Sequence, residues 1–240
     1  MSNTEFDILV IGAGVAGLSA TEVLVEKGYS VCLVDAARRI GGRAYSKQLP
    51  NSAWFDLGCS YLHEGEINPF TKIAGELDFA LEDGKRFEKS CLKMTVNGSE
   101  ASADELSSFN SFVDNCSLRM ENAKSKGLLA DVDDIASYID WNHRFSKLHS
   151  HLLSGLNASD VHQQSVSDYL RTGFGLDYPV VGGLGKLVEK WAFRFLKKIP
   201  LFLNCKVSKI EWSGQSVSVT TSRGQMRAKK ILLTVSTGVV

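Results

Sequence analysis

The sequence has no excess of charge of either sign and no long apolar run. Lysine and arginine together number 27, as do aspartate and glutamate, so the formal net charge is zero. A balanced charge argues against nucleic acid or another polyanion as a partner. No apolar stretch is long enough to cross a bilayer, and residues 1–5 carry no basic segment of a signal peptide. We therefore expect no nucleic-acid partner and no membrane segment.

Cysteine is scarce and scattered along the chain. There are five cysteines, an odd number, and no two of them form a C-x-x-C pair. Free thiols in a reducing compartment are the expected state, which predicts a cytoplasmic protein without a disulfide framework or a metal site. The histidines at 143, 149, 151 and 162 are expected at the surface rather than as metal ligands. His149 and His151 are two positions apart and should lie on different sides of a helix.

What the chain does contain, close to its N-terminus, is a glycine-rich turn between two apolar runs. Residues 6–11 are almost wholly apolar, as is typical of a strand buried on both faces. Residues 18–27 predict a helix with Val23 and Leu24 facing inward, and residues 29–34 predict a second strand. This strand–helix–strand order is the context that a dinucleotide-binding fingerprint requires. A glycine-rich turn in another kind of α/β protein is the alternative, but it does not explain the acid at Asp35.

The turn between the first strand and the helix reads G-A-G-V-A-G over residues 12–17. Gly12 allows a tight turn, Gly14 keeps side-chain atoms away from a pyrophosphate, and Gly17 lets helix and strand pack closely. The pyrophosphate would lie at the helix N-terminus, where N–H groups and the helix dipole favour negative charge. Asp35 would accept hydrogen bonds from a ribose. The predicted cofactor-binding residues in this loop are Gly12, Gly14, Val15, Ala16 and Gly17.

A second glycine-containing loop follows the second strand. Residues 35–43 read D-A-A-R-R-I-G-G-R. Paired glycines let the backbone approach a ligand again, and Arg43 offers a planar fork of donors to a phosphate or an electron-rich ring. A nicotinamide enzyme has no general need of this loop, whereas a longer, bent ligand such as FAD does. The residues predicted to contact FAD here are Asp35, Ala36, Arg39, Gly41, Gly42 and Arg43.

The acid-x-x-x-Arg-x-Gly-Gly-Arg pattern after such a unit resembles the flavin-containing amine oxidase family, which usually has Glu where this chain has Asp35. The resemblance implies that Gly58, Cys59, Ser60 and Tyr61 pass beside the flavin ring. It also implies that Val207 contacts adenine through its backbone and that Thr234 lies in a strand returning to the FAD domain. His63 falls where spermine and acetylpolyamine oxidases carry a histidine near the substrate amine. The alternative for His63 is a locally hydrogen-bonded residue in a surface loop.

The resemblance implies an α/β fold: a Rossmann-type (GR2-like) FAD-binding domain with an inserted, mainly helical substrate subdomain. We expect the FAD-binding domain over residues 1–88 and 179–240 and the insertion over 89–178. Family members are longer, so the resemblance indicates the N-terminal half of such an enzyme, an apparently truncated chain. A fragment, one half of a split enzyme whose second polypeptide supplies the rest, and a shortened paralogue all remain open.

The implied function is that of an FAD-dependent oxidoreductase, or its N-terminal part. It would oxidise the C–N bond of a polyamine or monoamine by hydride transfer to flavin, with oxygen as acceptor. His63 is the candidate catalytic residue. A non-catalytic FAD-binding or interaction module and a porphyrinogen or carotenoid-type FAD dehydrogenase are the alternatives.

Overall fold

The computed structural model describes residues 5–86, 93–96, 98–129, 134–171, 175–212 and 214–239. The chain divides into two compact units. Unit 1 comprises Met1–Phe87 and Leu176–Val240, and unit 2 is the intervening Glu88–Gly175. The first predicted domain boundary, residue 88, lies outside the described residues. As functional domains, the three predicted segments 1–88, 89–178 and 179–240 stay a prediction.

Unit 1 contains a six-stranded sheet with the strand order β10-β11-β12-β1-β2-β9. Strands β12, β1, β2 and β9 are parallel to one another. Strand β11 is antiparallel to β12, and β10 is antiparallel to β11. This mixed sheet with helices confirms the predicted α/β class. The strands are β1 Glu5–Ile11, β2 Val31–Val34, β9 Leu201–Phe202, β10 Val207–Glu211, β11 Val217–Thr221 and β12 Gly224–Leu233.

The central strands are buried on both faces, as their continuous apolar sequences predict. Val10 and Leu33 belong to one hydrophobic cluster, while Leu9 and Cys32 belong to the cluster on the opposite side. All four side chains are fully buried. The strands therefore place the ends of β1 and β2, where both glycine loops begin, on a rigid support.

Two helices of unit 1 pack against each other, α1 (Val15–Glu26) and α6 (Leu184–Leu196). In α6, Leu187 and Trp191 are buried four residues apart on one face of the helix, and the Trp191 indole N–H donates to the Glu22 carboxylate of α1 at 3.1 Å. In α1 the prediction is only half right. Leu24 packs against the core, but Val23 is 47% exposed. The inward face of α1 follows Leu18, Thr21 and Leu24 at helical spacing, and Val23 lies off that face.

Two short strand pairs and one short helix complete unit 1. Strands β3 (Ser46–Gln48) and β4 (Trp54–Asp56) are antiparallel, as are β5 (Tyr61–Leu62) and β8 (Tyr178–Pro179). Helix α2 (Pro69–Glu76) follows, with the Asn68 side chain accepting from the Phe70 N–H. The β5–β8 pair joins two parts of the chain that lie on either side of unit 2 in the sequence.

The described part of unit 2 is mainly helical. Its long helix α3 (Ala103–Ser125) begins with a capping box between Ser102 and Glu105. Phe112, Cys116 and Met120 lie on its buried face at helical spacing. The other elements are the hairpin β6 Thr95–Val96 with β7 Ser99–Glu100, the 3-10 helices Ile135–Tyr138 and Val161–Gln163, and helices α4 Ser146–Asn157 and α5 Val166–Tyr169.

The two neighbouring histidines of α4 lie on different sides of the helix, as their spacing predicts. His151 is exposed. His149 is only 4% exposed, so the expectation that it lies at the surface is wrong. Its ring meets the edge of Phe112 with ring centroids 5.9 Å apart, and burial lowers the pKa of the imidazole.

Candidate functional site

The first glycine loop joins the end of β1 to the start of α1 and is packed too tightly for side chains at two positions. Gly12 has φ +109°, and a Cβ there would lie 2.7 Å from the Thr234 hydroxyl oxygen. A Cβ at Gly17 would overlap the Gly12 carbonyl oxygen. The positive φ of Gly12 fits a tight turn, and the overlap at Gly17 fits close packing of the helix start against the loop. Thr234 lies against the loop, and its hydroxyl is 3.0 Å from the Ile11 and Gly12 carbonyl oxygens.

Gly14 differs from its neighbours because nothing in the protein requires a glycine there. Its φ of −73° suits any residue, and a Cβ would meet no atom within 4 Å. It is the N-cap of α1, with no side chain capping the helix. Val15, Ala16 and Gly17 follow in the first turn, whose backbone N–H groups and dipole favour an anion. The space beside Gly14 is therefore a cradle that a side chain would fill.

The two glycine loops contact each other. The Gly41 N–H donates to the Ala13 carbonyl at 2.8 Å, and Gly14 and Gly41 form a parallel bridge. A Cβ at Gly42 would lie 3.1 Å from the Cα of Gly14. The structure thus brings the second predicted loop directly against the first, at the helix N-terminus.

Asp35 follows β2 and turns its carboxylate towards the first loop. Oδ2 accepts a hydrogen bond from the Ala13 N–H at 2.6 Å, and Oδ1 accepts one from the Ala37 N–H at 2.7 Å. Each carboxylate oxygen can accept a further bond, so these contacts orient the acid and leave acceptor capacity for ribose hydroxyls. The shorter Asp, in place of the usual Glu, is anchored here by backbone N–H groups.

A cavity of about 590 Å³ opens beside Asp35, at the carboxyl ends of β1 and β2. This is the edge of a parallel sheet where nucleotides bind in open α/β folds. Its volume falls within the ordinary range of ligand pockets. Among the residues that line it are the predicted Gly12, Asp35, Ala36 and Val207, together with Ile11 and Val34.

The two predicted arginines of the second loop lie in different surroundings. Arg39 stacks its guanidinium over the Tyr45 ring, 4.0 Å from the centroid, and donates to the Ile40 carbonyl. It lines a separate cavity of about 400 Å³ with Tyr45 and Phe193, so the structure does not bring its side chain to the 590 Å³ cavity. Arg43 is exposed beyond the paired glycines, where its side chain can reach a ligand.

The predicted flavin-side segment lies against Arg43. The Cys59 N–H donates to the Arg43 carbonyl at 3.3 Å, and a Cβ at Gly58 would overlap that same oxygen. Glycine is therefore required at 58 for the segment to approach the loop. Desolvation raises the pKa of the Cys59 thiol, and the Ser60 hydroxyl donates to the Gly58 carbonyl at 3.4 Å.

His63 follows Tyr61 in the same segment and has a partner that lies far away in the sequence. Its Nδ1 is 2.9 Å from Oδ1 of Asp177, with the two side chains 76% and 30% exposed. The rings of Tyr61 and His63 meet edge to face, 5.3 Å between centroids. The exposure of His63 fits the surface-loop alternative, whereas a partner 114 positions away in the sequence fits a placed functional group. The substrate role of His63 therefore stays a prediction.

Two acidic residues at this site are not found by sequence reasoning. Asp177 precedes β8, and only the pairing of β8 with β5 brings it to His63. Asp56 accepts from the Leu184 N–H at 3.0 Å and from the Ser46 hydroxyl, which ties β3 and β4 to the start of α6. In the sequence, Asp56 stands just before the Gly58 segment, and no local pattern there indicates its partners in α6.

Neither a metal centre nor a membrane span is found in the part of the chain that the structure describes. No three His, Cys, Asp or Glu side chains there are grouped so that they could hold a metal ion. None of the helices there combines the length and apolarity needed to cross a membrane. The cysteines described, at 32, 59, 116 and 205, are free thiols, while Cys91 lies outside the described residues.

The residues present fit an FAD molecule. The cavity beside Asp35 suits an adenosine, and the space at Gly14 over the uncapped helix suits a pyrophosphate. The Gly58 segment packs against the backbone of Arg43, which follows the paired glycines in the sequence.

Comparisons with known proteins agree with this reading. Residues 10–77 match the NAD(P)-binding Rossmann-like domain family. An L-amino acid dehydrogenase of Synechocystis sp. is 36% identical over 93 residues, 34% of this chain and 20% of that protein. A flavin-containing amine oxidase of Danio rerio is 40% identical over 62 residues, 26% of this chain and 12% of that protein. A lysine-specific histone demethylase 1 homolog 3 of Oryza sativa is 26% identical over 97% of this chain and 30% of that protein.

Solved structures share the fold along almost the whole chain. Cyclohexylamine oxidase from Brevibacterium oxydans superposes with a TM-score of 0.75 at 19% identity, over 97% of this chain and 58% of that one. Wild-type putrescine oxidase bound to putrescine gives 0.64 at 16% identity, again over 97% and 58%. The chain thus spans less than two thirds of these proteins. The chain is similar in sequence to flavin-containing amine oxidases and shares the fold of cyclohexylamine oxidase. FAD is the cofactor that the Rossmann-like domain and these relatives support.

Proposed function

We propose that this chain forms the FAD-binding part of an oxidoreductase that oxidises the C–N bond of an amine, with oxygen as the electron acceptor. One observation carries the proposal. Two glycine loops meet at the uncapped start of α1 and leave an open space at Gly14, beside the Asp35 cavity. The flavin-containing amine oxidases among the relatives support an amine as the substrate class.

The residues of the chain would hold the cofactor and shape its surroundings. N–H groups of the first turn of α1 would bind the pyrophosphate, and Asp35 would bind the ribose. Arg43 and the segment 58–61 would contact the flavin end. When bound, FAD supplies the two-electron chemistry, accepting a hydride from the carbon beside the amine nitrogen and passing the electrons to oxygen.

His63 would interact with the substrate amine. A neutral imidazole can accept a hydrogen bond or a proton from an amine, which must lose its charge before oxidation. The ring is exposed and anchored at Nδ1 by Asp177. A polyamine and a monoamine both offer the nitrogen that this arrangement would recognise.

A second polypeptide that completes the site is part of the proposal. Phe55 and Leu57 are 54% and 55% exposed, directly before the Gly58 segment. Large apolar side chains beside a ligand site are usually covered by protein or ligand. Addition of a polypeptide corresponding to the remaining part of an amine oxidase should raise flavin retention and activity of the chain.

Peroxide release tests the oxidase function. The purified chain, supplied with FAD and then with spermine, spermidine or a monoamine, should release hydrogen peroxide in an amount that depends on the amine. Flavin retention without turnover of any amine would contradict the oxidase and favour a non-catalytic FAD-binding module. Turnover of a porphyrinogen or a carotene instead would assign the other dehydrogenase class.

An FAD-dependent dehydrogenase is a second candidate function. The observation that favours it is the similarity to an L-amino acid dehydrogenase, which extends over 34% of this chain. Such an enzyme would pass electrons to an acceptor other than oxygen. Reduction of an electron-accepting dye by an amine or an L-amino acid, without peroxide release, would support the dehydrogenase over the oxidase.

A further inference from the structure

The contact between His63 and Asp177 is built into the fold rather than made by two loose side chains. Strands β5 and β8 are antiparallel, with Tyr61 opposite Pro179 and Leu62 opposite Tyr178. Continuing this register by one residue places His63 opposite Asp177. The two side chains are therefore cross-strand neighbours, and such neighbours interact directly.

The backbone around the pair is held on both strands. The Gly65 N–H donates to the Leu176 carbonyl at 2.7 Å, and the Leu176 N–H donates to the Glu66 carboxylate at 3.1 Å. A Cβ at Gly65 would overlap the Tyr178 ring, so glycine lets the two segments come this close. These contacts fix the residues on either side of Asp177 relative to those that follow His63.

The chemistry of the two partners determines the protonation of the ring. An ionised carboxylate only accepts hydrogen bonds, so Nδ1 of His63, 2.9 Å from Oδ1, must carry the proton. In a neutral imidazole the other nitrogen, Nε2, is then an acceptor. The side chain of His63 is 76% exposed and that of Asp177 is 30% exposed, so the histidine is the partner that can reach a ligand.

We propose that Asp177 is a positioning residue that holds His63 in the Nδ1–H tautomer, with Nε2 presented as an acceptor to the substrate amine. This inference rests on the proposed function, because it takes the ligand to be an amine. A substrate ammonium group would transfer one N–H proton to Nε2. The amine is then neutral and the ring is an imidazolium, and its Nδ1–H remains hydrogen-bonded to the carboxylate, which stays ionised.

The tautomer of His63 is measured directly by NMR of the protein labelled with ¹⁵N-histidine. At about pH 8.5, two units above the ordinary histidine pKa, wild-type His63 should show a protonated Nδ1 and an unprotonated Nε2. Asp177→Ala should shift it towards the Nε2–H form, and His63→Ala assigns the signal. His151, exposed on α4, is the control that should not change. A wild-type Nε2–H tautomer, or an unchanged tautomer in Asp177→Ala, would overturn the proposal.

Asp177→Asn is the matched second variant, because it keeps the shape of the side chain if the alanine variant fails to fold. The amide offers a donor as well as an acceptor, so the tautomer is no longer fixed. The kcat/KM for an amine should fall about tenfold, since general-base catalysis contributes 10²–10⁴-fold and orientation is a part of it. Flavin content should not change.

The two experiments separate the inference from the function on which it rests. A wild-type protein that oxidises no amine contradicts the proposed function. In that case the tautomer of His63, compared by NMR between the wild-type protein and Asp177→Ala, still shows whether Asp177 positions the ring. Amine oxidation that is unchanged in Asp177→Asn, with the wild-type tautomer retained, refutes the inference alone. A loss of flavin in the variant would indicate a structural role in place of the positioning role.

Discussion

The glycines of the first loop serve two different physical purposes. At Gly12 and Gly17 an added Cβ meets the loop itself or Thr234, so glycine is needed for the chain to fold. At Gly14 an added Cβ meets no atom of the described residues within 4 Å, so the fold of that part of the chain does not require glycine there. This difference separates residues that build the loop from the residue that makes room for the ligand.

Gly17→Ala should destabilise the protein. Its methyl group would overlap the Gly12 carbonyl oxygen, a backbone atom that can move only with the loop, and overpacking of this kind costs about 1–3 kcal/mol. The free energy of unfolding from urea denaturation measures the loss. Gly14→Ala is the matched control and should cost less than about 1 kcal/mol, as the loss of a glycine N-cap does. Equal losses in the free energy of unfolding for the two variants would show that Gly14 and Gly17 do not differ in packing.

His149 should make stability depend on pH. Burial lowers its pKa below the ordinary value of 6.5, and its Nε2 has no hydrogen-bond partner among the described residues. The unfolded chain therefore binds a proton more readily than the folded one. The stability that the neutral ring contributes is present above about pH 6.5 and is lost as the pH falls below it.

The midpoint of thermal unfolding between about pH 7.5 and pH 5.5 tests this expectation. The midpoint should fall towards acid pH in the wild-type protein, and less steeply in His149→Leu, which cannot be protonated. His151→Gln removes an exposed histidine of the same helix and should retain the wild-type dependence. If the thermal midpoint of His149→Leu falls towards acid pH as steeply as that of the wild-type protein, His149 is not the source of the pH dependence.

At the scale of elements, the site depends on contacts that join distant parts of unit 1. Asp56, at the end of β4, accepts from the first N–H groups of α6 at 3.0 and 3.4 Å. These N–H groups have no partner within the helix, and Gly183 before them has no side chain to cap it. The acid thus acts as the cap of a helix that begins 128 positions later.

Asp56→Ala should lower the free energy of unfolding by about 1–3 kcal/mol, the cost of leaving such groups unpaired. Chemical denaturation followed by far-UV circular dichroism measures it. Asp56→Asn keeps an acceptor oxygen in the same place and should lose less. An alanine variant as stable as the wild-type protein would show that water replaces the carboxylate.

How much of the fold and of the candidate site could be predicted depends on how far apart in the sequence the contacting residues lie. The β1–α1–β2 unit was predictable because it rests on residues within one local segment. The S-x-x-E spacing that forms the capping box at Ser102 is equally local. Val23 was assigned to the wrong side because it is apolar, although the inward face of α1 is set by the spacing of Leu18, Thr21 and Leu24. Asp177, 114 positions from His63, and the turn of Arg39 towards Tyr45 depend on tertiary packing, which no local pattern encodes.

At the scale of the whole molecule, the cavity and the two glycine loops of unit 1 together fit FAD. The sheet brings the ends of β1 and β2 together with β10 around one cavity, and the two glycine loops meet beside it. Homology to the flavin-containing amine oxidases supports the same cofactor. The substrate, the role of His63 and a completing polypeptide are proposals that build on FAD binding by unit 1.

Flavin binding by Gly14→Asp, compared with the wild-type protein, is the direct test of whether unit 1 holds FAD at the two glycine loops. The carboxylate would occupy the open space at Gly14 and repel the pyrophosphate, while the absence of neighbours within 4 Å lets the variant fold. FAD titration should show binding by the wild-type protein, competed by ADP, and by Gly75→Asp, whose glycine on α2 is exposed and also has no neighbour within 4 Å. Gly14→Asp should show none. FAD binding by a folded Gly14→Asp protein at wild-type affinity would contradict the account.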